Sequence, residues 1–339
     1  MKSIYVICPY GLVTGGPDAL HQMVYYLNNN GFNAYIVYSD IRSYKYSIPE
    51  PYKIYVKDYL LLNEIEDDKN NCIIIPETEN HLINRFNNIK KYIWWLSVDN
   101  DINFSGLKNK LKKILQKIRI ENLKKLYKIN TLKNFLKHSK FNFSKENEVQ
   151  HLCASYYAFD YVAKNIKNKE KVHLCIEPIS KIFIEKSKYT TLNKENIILY
   201  NPKKNYDFTK KIIQRASTFK FVPLKGFTQN ELIEIYQKAK VYIDFGNFPG
   251  AERIPKEAVI NGCCIITGKY GASAFYKDVP ILDKYKIDAK EENIDKIIDK
   301  IKDLLENYEL KVTEYEGYRN TILNLENNFI RQISEIFKD

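Results

Sequence analysis

Val241-Tyr-Ile-Asp-Phe-Gly-Asn-Phe-Pro-Gly250 runs directly into Ala251-Glu-Arg-Ile-Pro-Lys-Glu-Ala-Val-Ile-Asn-Gly-Cys-Cys264. Residues 241–245 form a short apolar run of β-prone residues, the pattern of a buried strand. Residues 254–261 carry helical periodicity, and 263–267 are apolar and β-prone again. Gly246, Pro249 and Gly250 break the chain between the first strand and the helix. Strand, turn, helix and strand in immediate succession make a parallel crossover unit.

The same alternation extends outward. Upstream lie strands at 197–200 and 220–223 with helices at 208–216 and 230–238. The first half repeats the pattern, with strands at 3–8, 33–38, 54–56, 72–75, 92–98, 149–154 and 172–176. Its helices fall at 17–30, 81–88 and 157–165, with Pro17 suited to a first helical turn and Gly31 to a helix end. The polar segment 177–195 divides the halves. The expectation is an α/β protein of two doubly wound domains, 1–185 and 190–314. A C-terminal helix at 315–339 is free to pack against either domain, the N-terminal one included.

The chain has 339 residues, 45% hydrophobic and 28% charged, a balance that argues against disorder. No apolar run approaches the ~18 residues that span a bilayer, and the N-terminus lacks a signal-peptide pattern. A cytoplasmic location is expected, at most peripheral on the inner face of the membrane. The six cysteines form no C-x-x-C pair and no zinc-spaced cluster, so neither disulfides nor a metal are expected.

Net charge is +12, and nearly all of it sits in residues 108–140, where eleven lysines and Arg119 face a single acid, Glu121. This stretch reads as a basic helical insertion at about 104–145. Its apolar stripe either packs on its own domain or lies on an anionic membrane surface. A nucleic-acid partner is not expected, because stacking aromatics are few there.

Two glycine-bearing loops join strands to helices. In the first, residues 10–18, Gly15 and Gly16 precede a helix N-terminus suited to phosphate. It matches neither the Walker A pattern nor G-x-G-x-x-G, and a plain helix-capping turn is the alternative. In the second, residues 244–258, Gly250 opens the backbone and Arg253 can pair with a diphosphate. Glu257 suits sugar or ribose hydroxyls, although it and Glu252 can equally be solvated helix-end acids. Asn201, Lys203 and Lys204 follow the strand at 197–200, and Lys225 follows the next strand. These strand ends offer several cations to one ligand, since ligands of such sheets bind beyond the carboxyl ends of the strands.

Thr14-Gly-Gly-Pro-Asp-Ala-Leu20, together with Gly-x-x-Arg-Ile-Pro-Lys-Glu-Ala-x-x-x-Gly-Cys over 250–263, resembles GT-B glycosyltransferases of bacterial surface-polysaccharide assembly. The resemblance covers nearly the whole chain apart from the basic insertion. It implies two Rossmann-like domains facing across a cleft. The C-terminal domain would bind a nucleotide-sugar donor and the N-terminal domain a glycan or lipid-linked glycan acceptor, building capsule, lipooligosaccharide or O-antigen. It implies no cofactor and no metal, because cations take the metal's place at the diphosphate. By the same resemblance Glu257 holds the ribose, Lys203 or Lys204 the phosphate, and Gly15 and Gly16 face the diphosphate. The chain departs from the family's Glu-x(7)-Glu pattern: Pro249 stands where the earlier glutamate would be, and Glu252 lies closer to Glu257.

Transfer with inversion needs a base on the acceptor hydroxyl. Asp99 and Asp101 at a strand end, Glu77 after Pro76, and His81 are the candidates, with strand-end turn formation the alternative for the aspartates. Two other readings stay open. One is a nucleotide-sugar epimerase or phosphorylase of the same fold; the other is a basic membrane- or nucleic-acid-binding adaptor.

Overall fold

The computed structural model describes residues 2–41, 43–102, 140–144, 148–187 and 193–338. The expected basic insertion, apart from 140–144, lies outside the described residues. Compact packing divides the chain into Met1–Glu177 with Asn328–Asp339, and Pro178–Asn327.

The strands of the first unit are β1 (Ser3–Cys8), β2 (Asn33–Tyr38), β3 (Leu60–Leu61), β4 (Cys72–Pro76), β5 (Lys90–Trp95), β6 (Gln150–Cys153) and β7 (Val172–Leu174). They form a parallel sheet in the order β3-β2-β1-β4-β5-β6-β7 among the described residues. Side chains alternate across a strand, so Ile4, Val6 and Cys8 enter one core while Tyr5 and Ile7 enter the other. Covered faces on both sides explain why β1 reads as a continuous apolar run.

Helix Gly15–Asn29 follows β1 and ends where Gly31 adopts φ +85°. It begins two residues before Pro17, so both glycines belong to its first turn. The strand expected at 54–56 is absent; β3 forms instead at Leu60–Leu61, paired with the end of β2. The helix expected at 81–88 is a kinked 3-10 segment, Glu77–Arg85, that starts immediately after β4.

The second unit holds β8 (Glu195–Tyr200), β9 (Lys220–Pro223), β10 (Ala239–Asp244) and β11 (Cys264–Thr267), parallel in the order β11-β10-β8-β9. Helices Tyr206–Arg215, Gln229–Lys238 and Arg253–Ile260 connect them. Helix Gln229–Lys238 opens with a capping box in which the Thr228 hydroxyl accepts from Glu231 N–H and the Glu231 carboxylate accepts from Thr228 N–H at 2.7 Å. Helix Ile294–Glu306, which the sequence reading did not place, buries Ile294, Ile297, Ile301 and Leu304 on one face.

Two expected boundaries move. Residues 178–187 join the second unit, because Phe183 of helix Lys181–Ser187 is buried, its ring 6.3 Å from that of Tyr236. The single helix expected at 315–339 is two, Glu316–Leu323 and Leu325–Phe337, interrupted at Asn324. Phe329, Ile333 and Phe337 recur every fourth residue and enter the first unit's core, where Phe329 stacks on Trp94 with centroids 6.2 Å apart. Burying each such side chain contributes roughly 1.5–3 kcal/mol. All six cysteines are free and buried. No helix among the described residues is long and apolar enough to cross a membrane.

Candidate functional site

In a doubly wound sheet the ligand crevice opens where neighbouring strands send their connections to opposite faces. The first unit has this point between β1 and β4, and the second between β8 and β10.

At the β1/β4 point a cavity of about 300 Å³ is lined by Leu12, Thr14, Gly16, Glu77, Glu79, Leu96, Ser97 and Asn100, among others. Pro76 ends β4 and aims the chain so that Glu77 stands at the strand's carboxyl end. Glu77 accepts hydrogen bonds from the Leu96 N–H at 3.0 Å and the Asn100 side-chain amide at 2.8 Å. Burial nonetheless dominates and pushes its pKa up to about 7, the hydrogen bonds only partly offsetting it. The backbone N–H groups of Glu77 and Ser97 also bond the carboxylate, and a carboxyl group held near neutrality can take a proton from a hydroxyl.

The two aspartates point elsewhere. Asp101 is fully buried and accepts from Phe141 N–H at 2.6 Å and the Tyr161 hydroxyl at 2.7 Å. Asp99 accepts from the Tyr157 hydroxyl at 2.7 Å. The cavity's described lining contains Asn100 but neither aspartate. In a short turn of helix, Asp99–Ile102, successive side chains fan out, so the residue between the aspartates faces the cavity. Spacing along the chain could not show that. His81 lies 4.0 Å from Glu79 at the cavity's acidic side.

The wall of the cavity is braced from behind. Tyr52 donates its hydroxyl to the Leu12 carbonyl at 3.1 Å and receives the Thr14 N–H at 3.2 Å. Its ring stacks on His21 at 4.1 Å. His21 is buried, bonded to the Pro17 carbonyl at 2.6 Å and the Tyr38 hydroxyl at 2.9 Å. Burial lowers its pKa to about 4, so the ring is neutral, donating to the carbonyl through Nδ1 and accepting through Nε2.

At the β8/β10 point the loops are laced together. Asn201 accepts Lys203 N–H at 3.0 Å and shapes the turn after β8. Asn205, at φ +44°, donates its amide to the Phe245 carbonyl at 3.1 Å, tying the turn to the end of β10. Lys204 donates to the Asn247 carbonyl at 3.0 Å, pairs with Glu252 at 2.6 Å and lies over the Phe248 ring at 5.0 Å. Gly246 makes this approach feasible, since a Cβ there would stand 2.4 Å from the Lys204 Cβ. Asp244, absent from the expected set, fixes the same loop by accepting Gly246 N–H at 2.9 Å and the Tyr242 hydroxyl at 2.8 Å.

Glu252 is the N-cap residue of helix Arg253–Ile260, Arg253 its first residue, and Gly250 supplies a carbonyl to Glu252 N–H at 2.9 Å. Glu257 is buried in the same helix with the Tyr236 hydroxyl 3.4 Å from its carboxylate. Asn201, Lys204, Glu252 and Arg253 thus gather at one sheet edge, whereas Lys203 and Lys225 are exposed at the ends of β8 and β9. The Lys204–Glu252 pair is the feature that sequence spacing missed, because it joins loops after two different strands.

No protein-family profile matches the chain, and no curated protein does. Solved structures do. A glycosyltransferase from Rickettsia africae is similar over 99% of this chain and 98% of its own, at 14% identity and a TM-score of 0.60. Sucrose-phosphate synthase from Thermosynechococcus elongatus is similar over 100% and 98%, at 10% identity and 0.61. HepE from Anabaena, solved with UDP-glucose, is similar over 100% of both chains, at 9% identity and 0.57. Likeness at such identities carries architecture alone, and with the two parallel sheets it gives the chain the GT-B fold, two Rossmann-like domains in tandem.

Proposed function

We propose that the chain is a glycosyltransferase that moves a sugar from a nucleotide-sugar to an acceptor hydroxyl, in the assembly of a bacterial surface glycan. The observation that carries this reading is the cation-bearing edge at β8/β10, with Lys204 beside Glu252 and Arg253 at the head of a helix. A nucleoside diphosphate leaving group develops negative charge as its bond to the sugar breaks. Preorganised cations and helix N–H groups stabilise that charge without a metal ion. Glu257 accepts from the ribose hydroxyls. HepE, of the same fold, binds UDP-glucose.

The acceptor hydroxyl lies in the β1/β4 cavity. Glu77 takes its proton, the freed oxygen attacks the anomeric carbon, and the bonding pair to the diphosphate leaves with the nucleotide. A single displacement of this kind inverts the anomeric centre. Competition between the diphosphate and Glu252 for Lys204 makes the ion pair the resting state of the donor site.

The test is thermal stabilisation by UDP, GDP, ADP and dTDP, followed by nucleotide release from the matching sugar donors, each with and without EDTA. One nucleotide is expected to raise the melting temperature by mass action, with turnover insensitive to EDTA. Stabilisation by none of them removes the reading, and dependence on a divalent ion removes its metal-independent form.

A further inference from the structure

We propose that the first unit carries a second carbohydrate site, separate from the Glu77 cavity, that holds the part of an oligosaccharide acceptor behind its reacting ring. Its service to the acceptor rests on the glycosyl-transfer reading; saccharide binding by itself does not.

The site is a cavity of about 540 Å³ in the segment between β2 and β3. Ile48, Val56 and Tyr59 are buried at its base, and Tyr44 stands beside them with 58% of its surface exposed. The size falls within the ~300–1,000 Å³ usual for small-ligand pockets. Tyr44 donates its hydroxyl to the Glu64 carboxylate, which pushes the phenol pKa up to about 12 and keeps it a donor. Tyr59 donates its hydroxyl to the Tyr46 carbonyl at 2.8 Å, and the Tyr44 and Tyr59 rings lie 5.3 Å apart. Both rings are therefore anchored at their polar tips while the Tyr44 face stays open to solvent. An anchored ring loses little freedom when a ligand stacks on it.

Chemistry selects the occupant. The base is apolar, yet Lys53, Lys57 and Asp58 are exposed at the rim, Lys53 already paired with Glu50 at 2.6 Å, and together they supply donor and acceptor groups. A pyranose has an apolar C–H face for the tyrosine and hydroxyls that both accept from lysine and donate to aspartate. A fatty chain would engage none of the charged groups.

Continuity with the first cavity sets the role. Tyr10 donates its hydroxyl to the carbonyl of Ser47, which lines this cavity, at 2.9 Å. Tyr52 holds the carbonyl of Leu12, which lines the Glu77 cavity, at 3.1 Å. The loop of residues 9–14 thus touches the lining of both cavities, Tyr10 bonding Ser47 of one while Pro9, Leu12 and Thr14 line the other, and in the proposed complex a glycan longer than one ring lies across it.

Saturation-transfer NMR on maltose, cellobiose and N,N′-diacetylchitobiose, with the full chain and no donor, tests the site. At least one disaccharide is expected to bind wild type, and to bind Tyr44→Ala roughly fivefold more weakly, the size of a lost stacking contact. Lys57→Ala with Asp58→Ala is expected to weaken it as well, while a circular-dichroism melt confirms that these surface variants fold. Saturation transfer to none of the three sugars, transfer unchanged in Tyr44→Ala, or transfer only to octanoate would each overturn the proposal. Disaccharide binding with no nucleotide binding would instead uphold the site and reject the transferase reading.

Discussion

The two sheets place a crevice at the same topological point and furnish it with opposite chemistry. Between β1 and β4 the cavity is acidic, with Glu77 and Glu79 in its lining. Between β8 and β10 the edge carries Lys204 and Arg253. Glu77 sits in a site whose burial favours the neutral carboxyl, whereas Lys204 keeps a carboxylate partner at 2.6 Å. A fold decides where a ligand can go; side chains decide which half of a reaction each place serves. In the proposed reaction, one sheet receives a proton and the other holds an anion.

Glu77→Gln breaks the acidic half and has the largest expected effect. A steady-state assay should show kcat lowered by about 10²–10⁴ with little change in donor KM. Wild-type kcat/KM should rise with pH along a limb centred at about 7. Stability has the opposite slope. The folded protein holds the Glu77 proton more tightly than the unfolded chain, so that contribution is complete below 4.5 and lost as pH climbs through about 7. A glutamine keeps it, so melting temperatures should fall less in the variant than in wild type over that window. A variant with wild-type kcat would end the base assignment.

Lys204→Met breaks the basic half. Nucleotide release should slow by roughly 10²-fold, as for other preorganised groups at a developing charge, with the pH limb of Glu77 unmoved. A shifted limb would mean that the two halves are not independent. Gly246→Ala sharpens the same half at lower cost. Its methyl group must displace Lys204, so stability should drop by about 1–3 kcal/mol in urea denaturation and donor KM should rise. An unchanged KM would detach Lys204 from the donor.

Most of the fold was legible because its strands are fully buried. Residues 3–8 and 33–38 read as strands and are strands with those bounds, since a covered parallel strand is largely apolar; 220–223 has its expected bounds too, although it is an exposed edge strand. The segment 54–56 misled for the converse reason: Val56 enters the core and Tyr55 packs on the first helix, its ring 5.9 Å from that of Tyr25, with no ladder partner beside them among the described residues. For the candidate site, glycines and charges at strand ends marked loops that the structure brings to the two switch points. Neither Asn100 nor Asp244 stood out, because a single polar residue in or beside a strand-end segment looks like any other.

Residue order alone determined the alternation, the presence of two units and which loops lie at the carboxyl ends of the strands, because these follow from local periodicity and chain direction, whereas the division at residue 178 was set by packing. Only tertiary structure decided that Asn100 rather than Asp99 or Asp101 faces the cavity, that Lys204 meets Glu252, and that Glu77 is buried enough to hold its proton near neutrality. The physical reason is that pairing, facing and desolvation depend on distances between segments remote in sequence, which spacing along one strand or helix does not contain.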